Sequence, residues 1–213
     1  LNKNIILLQS MFAVTFTANR DSRWLYESLR FLFNHIEELD QPEFGSYFKD
    51  FLEIMAVRFA EGRLFTEEDM IKKYGDIPVY AFNFVDYILW KNREELGRKY
   101  KGIKFDQFKF AYRRSIEHWF PQHPNSDERV EKIDDKFLHS FGNLCIITDS
   151  QNSKFGNLVP SAKYKQWEGI FNRQSLKLQM MADVTVKNDK WGICEIQVME
   201  KEVERYVHDF CDS

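Results

Sequence analysis

A mostly helical α+β fold is what this sequence predicts, with a small strand–strand–helix core set among N- and C-terminal helices. Apolar residues recur at i, i+3, i+4 and i+7 over about residues 4–61, which is the helical period. The pattern changes to alternation near residue 103, and the helical period returns in the last third. The length of 213 residues lies somewhat above the ~100–200 of one domain, which predicts one domain with an appendage or two small ones. A hydrophobic fraction of 44% beside 30% charged residues is that of a soluble globular protein, and 20 Phe supply large side chains for a helical core.

In the first stretch, NIILLQSMFAVTF is a long apolar stripe, Asp21 and Ser22 offer a helix cap, and RWLYESLRFLFNHI carries one apolar face. YFKDFLEIMAVRFAEG repeats that face and stops at Gly62, a residue suited to ending a helix. IPVYAFNFVDYILWKNREELGRKY predicts a third amphipathic helical segment, started beside Pro78 and strongly basic at its end. His35, on one of these helices, is expected to be a satisfied interface side chain. Ile103, Phe105, Phe108 and Phe110, then Tyr112 and Ile116, alternate with polar residues, which predicts one or two short strands. FGNLCIITDS is a compact apolar strand entered through Gly142-Asn143. VPSAKYKQWEGIF predicts a helix begun at Pro160, with Ser161 as its N-cap. SLKLQMMADVTV and CEIQVMEKEVERYVHDF are helices interrupted by KNDKWG, and no repeat or low-complexity linker is present.

Net charge is −3, which argues against a generic nucleic-acid coat, but its distribution is uneven. Residues 91–114 hold nine Lys/Arg against three carboxylates, residues 115–150 hold three against seven, and residues 151–179 hold five against one. Two basic stretches flanking an acidic one suit a phosphate-bearing ligand; the plainer alternative is solvated helix faces. Cys145, Cys194 and Cys211 form neither a disulfide framework nor a CxxC zinc clip, so reduced, buried thiols are expected. No run reaches the ~18 apolar residues of a membrane span and no secretory signal is seen, which predicts a cytoplasmic protein without membrane contact. The chain begins with Leu1 rather than Met, which suggests a piece of a longer protein.

Chemistry concentrates after residue 113. Glu117-His118 sets a carboxylate beside an imidazole where an apolar residue would continue the strand. Alone, such a doublet is ordinarily solvated. Asn143 stands at the entrance of the second strand, and Asn152 follows nine residues later, just past its exit. One strand–loop unit therefore brings both amides to the end of a hairpin begun by Glu117-His118. Strand, loop, strand, loop, helix is the smallest frame that holds a metal ligand, a base and an orienting group around one phosphate. Plainer alternatives stand beside each assignment: His118 as a structural histidine, Asn143 as a turn residue after Gly142, Asn152 as a loop amide. His123 and His139 read as surface residues, and Trp119 and Phe120 as core anchors.

These residues resemble the HNH, or ββα-metal, nucleases. IEHWFPQ is similar to that superfamily's signature of an acid, a histidine, two apolar residues and a proline, and FGNLCIITDSQNSKFGNLVPSAK is similar to its second half. The Asn-to-Asn interval and the following N-x-V-P-S are close to those of the HNH domain of CRISPR effector nucleases. The closer resemblance is to the C-terminal domain of GmrSD-type modification-dependent (type IV) restriction enzymes, where a similar series is followed by a helical tail containing a Trp. It spans about residues 80–211, with residues 1–75 matching only loosely. It implies a helical scaffold over 1–100 and an HNH-type nuclease domain with C-terminal helices over 101–213, built on a ββα-metal hairpin–helix core.

The resemblance also implies roles. His118 is the general base, deprotonating a water for in-line attack on phosphorus, a task an imidazole of pKa near ~6.5 suits. Asn143 orients it. Glu117 and Asn152 hold one divalent cation, Mg²⁺ or Mn²⁺, as an all-oxygen set favours. Lys163, with Ser153, Lys154 and Asn157, contacts phosphate. Glu117 stands where many members carry Asp, and Asn152 is a variant of the third position that the superfamily accepts. The implied substrate is DNA, including modified phage DNA, cut as part of restriction or anti-phage defence. Implied partners are a nucleotide-hydrolysing N-terminal domain, for which no glycine-rich phosphate loop is present here, and a second copy in a homodimer. Two other functions stay open: a non-catalytic nucleic-acid-binding or assembly module on the same scaffold, and an RNA-directed nuclease.

Overall fold

The computed structural model describes residues 1–17, 22–66, 70–125 and 132–212, so Asp21, half of the expected first cap, lies outside the described residues. The stripes of the first stretch become α1 (Asn2–Thr15), α2 (Arg23–Asn34) and α3 (Phe44–Ala60). Just beyond α3, Gly62 takes a φ of 67°, the left-handed backbone that glycine adopts without steric cost. His35 is satisfied as expected, bonding Phe31 O through Nδ1 at 2.8 Å.

The third helical segment differs from expectation. It forms α4 (Val79–Lys91) and α5 (Arg93–Lys99), and α4 is buried on every side from Tyr80 to Trp90 rather than amphipathic. Its two polar interior residues have internal partners: Asn83 donates to Thr15 Oγ1 at 2.8 Å, and Asp86 Oδ1 accepts from the Lys177 backbone N–H at 3.0 Å. A helix that is apolar nearly all round belongs inside a core. α1 and α3 pack on it, and so do α9 (Leu176–Asn188) and α10 (Ile193–Cys211) from the far end of the chain.

Strand structure is sparser than the alternation predicts. Over 103–112 the backbone makes only a 3-10 turn at Phe105–Gln107, from which Phe105 and Phe108 enter the core without any ladder. The strands are β1 (Ser115–His118) and β2 (Leu144–Ile147), antiparallel, with Ser115 opposite Ile147, Glu117 opposite Cys145 and His118 opposite Leu144. Between them lie α6 (Asp135–Leu138) and a 3-10 turn at Phe141–Asn143. That turn approaches α10 closely: a Cβ on Gly142 would sit 2.2 Å from the Ile196 carbonyl oxygen, so only glycine fits.

After β2 come α7 (Asp149–Phe155) and α8 (Pro160–Trp167). α7 occupies what the sequence reads as a loop. Thr148 and Gln151 start it with a reciprocal capping box, two orphan donors satisfied at once. At α8 the N-cap is Val159 rather than Ser161, because Pro160 takes the first helical position, where its missing N–H is not needed. No described helix is long and apolar enough to cross a membrane. No disulfide joins the three cysteines, and only Cys145 is fully buried, whereas Cys211 is partly buried and Cys194 is exposed.

Candidate active site

The site is organised by β1, whose successive side chains point to opposite faces. Ser115 and Glu117 share one face. There the Ser115 hydroxyl accepts from Asn152 Nδ2 of α7 at 2.8 Å, and Glu117 Oε1 meets Lys163 Nζ of α8 at 2.7 Å. The Asn152 link leaves its amide oxygen as an acceptor, and Lys163 leaves Glu117 Oε2 as the second carboxylate oxygen. Asn152 is thus fixed by a capped helix and a strand hydroxyl, a firmer mounting than a loop.

Lys163 is not placed where phosphate would meet it. Its side chain is 0% exposed, and besides Glu117 its ammonium donates to His118 O at 2.7 Å and Trp119 O at 3.0 Å. Burial pushes the Glu117 carboxyl above the usual carboxylate range and Lys163 below the usual lysine range, and the pairing holds each of them partly back. Ser153 and Lys154 lie exposed on α7: Ser153 Oγ donates to Asp149 O, and Lys154 Nζ sits 5.4 Å from the Trp167 ring centre. Asn157 is exposed beyond α7, its carbonyl accepting from Asn125 N at 3.3 Å.

His118 faces the other way. Its Nε2 is 3.0 Å from His139 Nδ1 and its Nδ1 is 3.1 Å from Gln122 Nε2. Tyr74 closes the group, edge-on to His118 at 4.5 Å and stacked on His139 at 5.8 Å. Burial, then the neighbouring His139 and Lys163, push the His118 imidazole down to about 4, so it is neutral at pH 7. A cleft of about 510 Å³, lined by Gln122, His123, Asn125, Lys132 and His139 among others, opens beside the pair.

The Asn143 side chain does not bond His118, although the Asn143 carbonyl accepts from the Trp119 N–H at 2.8 Å. Its side chain is fully buried and makes its complete set of bonds: Nδ2 donates to Phe120 O and Leu138 O, and Oδ1 accepts from Phe120 N and Trp191 Nε1. It is a clasp joining the chain after β1 to α6 and the start of α10, with nothing left for an imidazole. Trp119 and Phe120 are core anchors as expected, Trp119 donating from Nε1 to Thr185 Oγ1 at 2.9 Å, and His123 is exposed.

Gln122 and Tyr74 have no role in the sequence reading, and His139, read there as a surface residue, is instead partly buried against His118 and Tyr74. Gln122 had a signal, since it lies four residues after His118 within IEHWFPQ. Tyr74 and His139 had none, because only the fold brings them to β1. The basic stretches are also quieter than their count implies. Lys91, Arg93, Lys99 and Arg114 are ion-paired with Glu53, Asp106, Glu202 and Asp149, and Arg113 is buried against Arg173 O.

Glu117 and Asn152 offer a carboxylate and an amide oxygen, a hard donor set suited to Mg²⁺ or Mn²⁺. Among the described residues no three or more His, Cys, Asp and Glu gather as a ready cage. Mg²⁺ ordinarily takes one or two carboxylates and completes its shell with water and substrate phosphate, so the set fits.

Comparison with known families gives a match. The family model described as "GmrSD restriction endonucleases, C-terminal domain" matches residues 66–203. No curated protein and no solved structure matches the chain.

Proposed function

The chain belongs to the family of GmrSD restriction endonuclease C-terminal domains, and from that premise we propose that it is a metal-dependent, HNH-type DNA endonuclease serving restriction or anti-phage defence, with modified DNA as its target. The observation that carries this reading is the hold on Glu117 of β1 and Asn152 of α7 against one face of the strand, with the neutral imidazole of His118, the next residue after Glu117, turned to its other face. Glu117 Oε2 and Asn152 Oδ1 would hold a single Mg²⁺ or Mn²⁺. When bound, the cation neutralises charge developing on the phosphate and the leaving 3′ oxygen. His118 takes a proton from the attacking water, which its neutral state at pH 7 permits. Lys163 acts behind the site, fixing the Glu117 carboxylate and the backbone of His118 and Trp119. Of the candidate phosphate contacts, Ser153, Lys154 and Asn157 are the exposed ones. On this reading 101–213 is the cleaving unit, 1–100 its scaffold, and a second copy would supply the cut on the other strand.

The test is His118→Ala assayed by plasmid cleavage in Mg²⁺ or Mn²⁺. Loss of at least about a hundredfold in rate is expected, the lower end of what a general base contributes. Cleavage at the wild-type rate would remove His118 from the chemistry. A second reading, a non-catalytic nucleic-acid-binding module, is favoured by the engagement of both His118 nitrogens. It predicts in addition that calorimetric titration with Mn²⁺ shows no stoichiometric site that Asn152→Ala removes.

A further inference from the structure

A general base needs one ring nitrogen with its lone pair toward the water and the other held by a partner that fixes ring and tautomer. Asn143 cannot be that partner, since its four hydrogen bonds go elsewhere. The two groups that do reach the His118 ring differ in kind. Gln122 is an exposed side chain at the cleft, so its contact with Nδ1 is open to replacement by water. His139 is anchored: it caps α6 with its N–H on Asp135 O, its carbonyl accepts from Tyr74 N at 3.0 Å, and its ring is stacked by Tyr74.

A neutral imidazole donates from one nitrogen and accepts at the other. With the Gln122 amide donating to Nδ1, the His118 proton sits on Nε2 and is given to His139 Nδ1. The reverse arrangement would aim the lone pair at His139 and away from the cleft.

We infer that His139 is the positioning residue of this site, holding His118 in the Nε2–H tautomer so that the Nδ1 lone pair faces the cleft where Gln122 now lies. The inference rests on the nuclease reading for its purpose, but the hydrogen-bond arrangement is measurable without any cleavage. As His118 gains a proton from water, its bond to His139 becomes charge-assisted and shortens, which stabilises the imidazolium where it forms.

Two substitutions separate positioning from packing. His139→Phe keeps the ring and its stack on Tyr74 but removes the acceptor, whereas His139→Asn returns an amide oxygen near the place of Nδ1. His139→Phe should lower kcat about ten- to a hundredfold with KM unchanged, a part of the ~10²–10⁴ that a general base contributes, and His139→Asn should stay within about threefold of wild type. Long-range ¹H–¹⁵N imidazole spectra should show His118 as Nε2–H in the wild type and the Asn variant, and as a mixture in the Phe variant. Equal kcat in both variants, or a His118 tautomer unmoved by His139→Phe, overturns the inference. Should the Phe variant fail to fold, the wild-type spectrum decides alone, because a proton on Nδ1 contradicts it. Retained cleavage by His118→Ala would instead sink the nuclease role of His118 and leave the tautomer result standing.

Discussion

Lys163 and Lys177 are both buried lysines, and each grips one strand of the same two-stranded sheet. Lys163 donates to His118 O and Trp119 O at the end of β1, and Lys177 to Phe141 O at 2.8 Å and Leu144 O at 2.5 Å at the start of β2. They differ in one partner. Lys163 also has the Glu117 carboxylate at 2.7 Å, whereas the remaining partner of Lys177 is Met181 Sδ at 3.5 Å. Without a carboxylate in contact, burial drives Lys177 down to about 8. The lysine with carbonyls alone is a strut; the lysine with a carboxylate also decides which oxygen Glu117 can present.

The comparison breaks most sharply by removing each ammonium. Lys163→Met strands a buried carboxylate and should cost about 3–5 kcal/mol in urea unfolding, the usual penalty for breaking a buried pair. Lys177→Met leaves two carbonyls without their donor and should cost about 1–3 kcal/mol. Adding Glu117→Gln should recover part of the loss in the Lys163 variant and none in the Lys177 variant. Equal costs, or a Glu117→Gln rescue of both, would show that the carboxylate does not distinguish them.

Titration sharpens the same contrast. The folded state binds the Lys177 proton with a value of about 8 against 10.5 in the unfolded chain, so between those values the unfolded state carries more protons. Stability from this group therefore rises from pH 8 to 10.5 and is lost as pH falls back, by about 3 kcal/mol across the window. The measurement is the unfolding free energy of the wild type minus that of Lys177→Met at each pH. A difference that is flat from pH 8 to 10.5 would mean that Lys177 stays charged when folded.

What the sequence exposes depends on whether a residue's role is local. The stripes of α1, α3 and α10 are legible because burial on one face repeats with the helical period. α4 reads as amphipathic because Asn83 and Asp86 imitate a polar face, though both have partners inside the core. The alternation over 103–112 is real, yet Phe105 and Phe108 reach the core from a turn, and a hydrophobic pattern does not specify a ladder. α7 was hidden because DSQNSKF has no apolar residue before Phe155, and its sign was the Thr148-x-x-Gln151 box. At the site, the Glu117-His118 doublet is legible as neighbours in the chain. The partners Tyr74, His139 and Lys163 are set by tertiary contacts across 44, 21 and 46 residues, which no local rule reads.

The mildest perturbation reaches Lys177 without touching it. Its acceptor Phe141 O belongs to the turn that Gly142 lets approach α10, where an added methyl would meet the Ile196 carbonyl at 2.2 Å and Glu200 Cβ at 3.0 Å. Backbone cannot yield as a flexible side chain does, so Gly142→Ala must push the turn away from α10, at a cost of about 2 kcal/mol typical of overpacking. The displaced Phe141 carbonyl should lengthen its bond to Lys177, while Lys163 and Glu117, held by β1 and α8, stay in place. In a double-mutant cycle Gly142→Ala should therefore couple to Lys177→Met by more than about 0.5 kcal/mol and be additive with Lys163→Met. Coupling to Lys163 instead would mean that the two lysines grip one rigid body, and that the strut and the carboxylate holder are a single device.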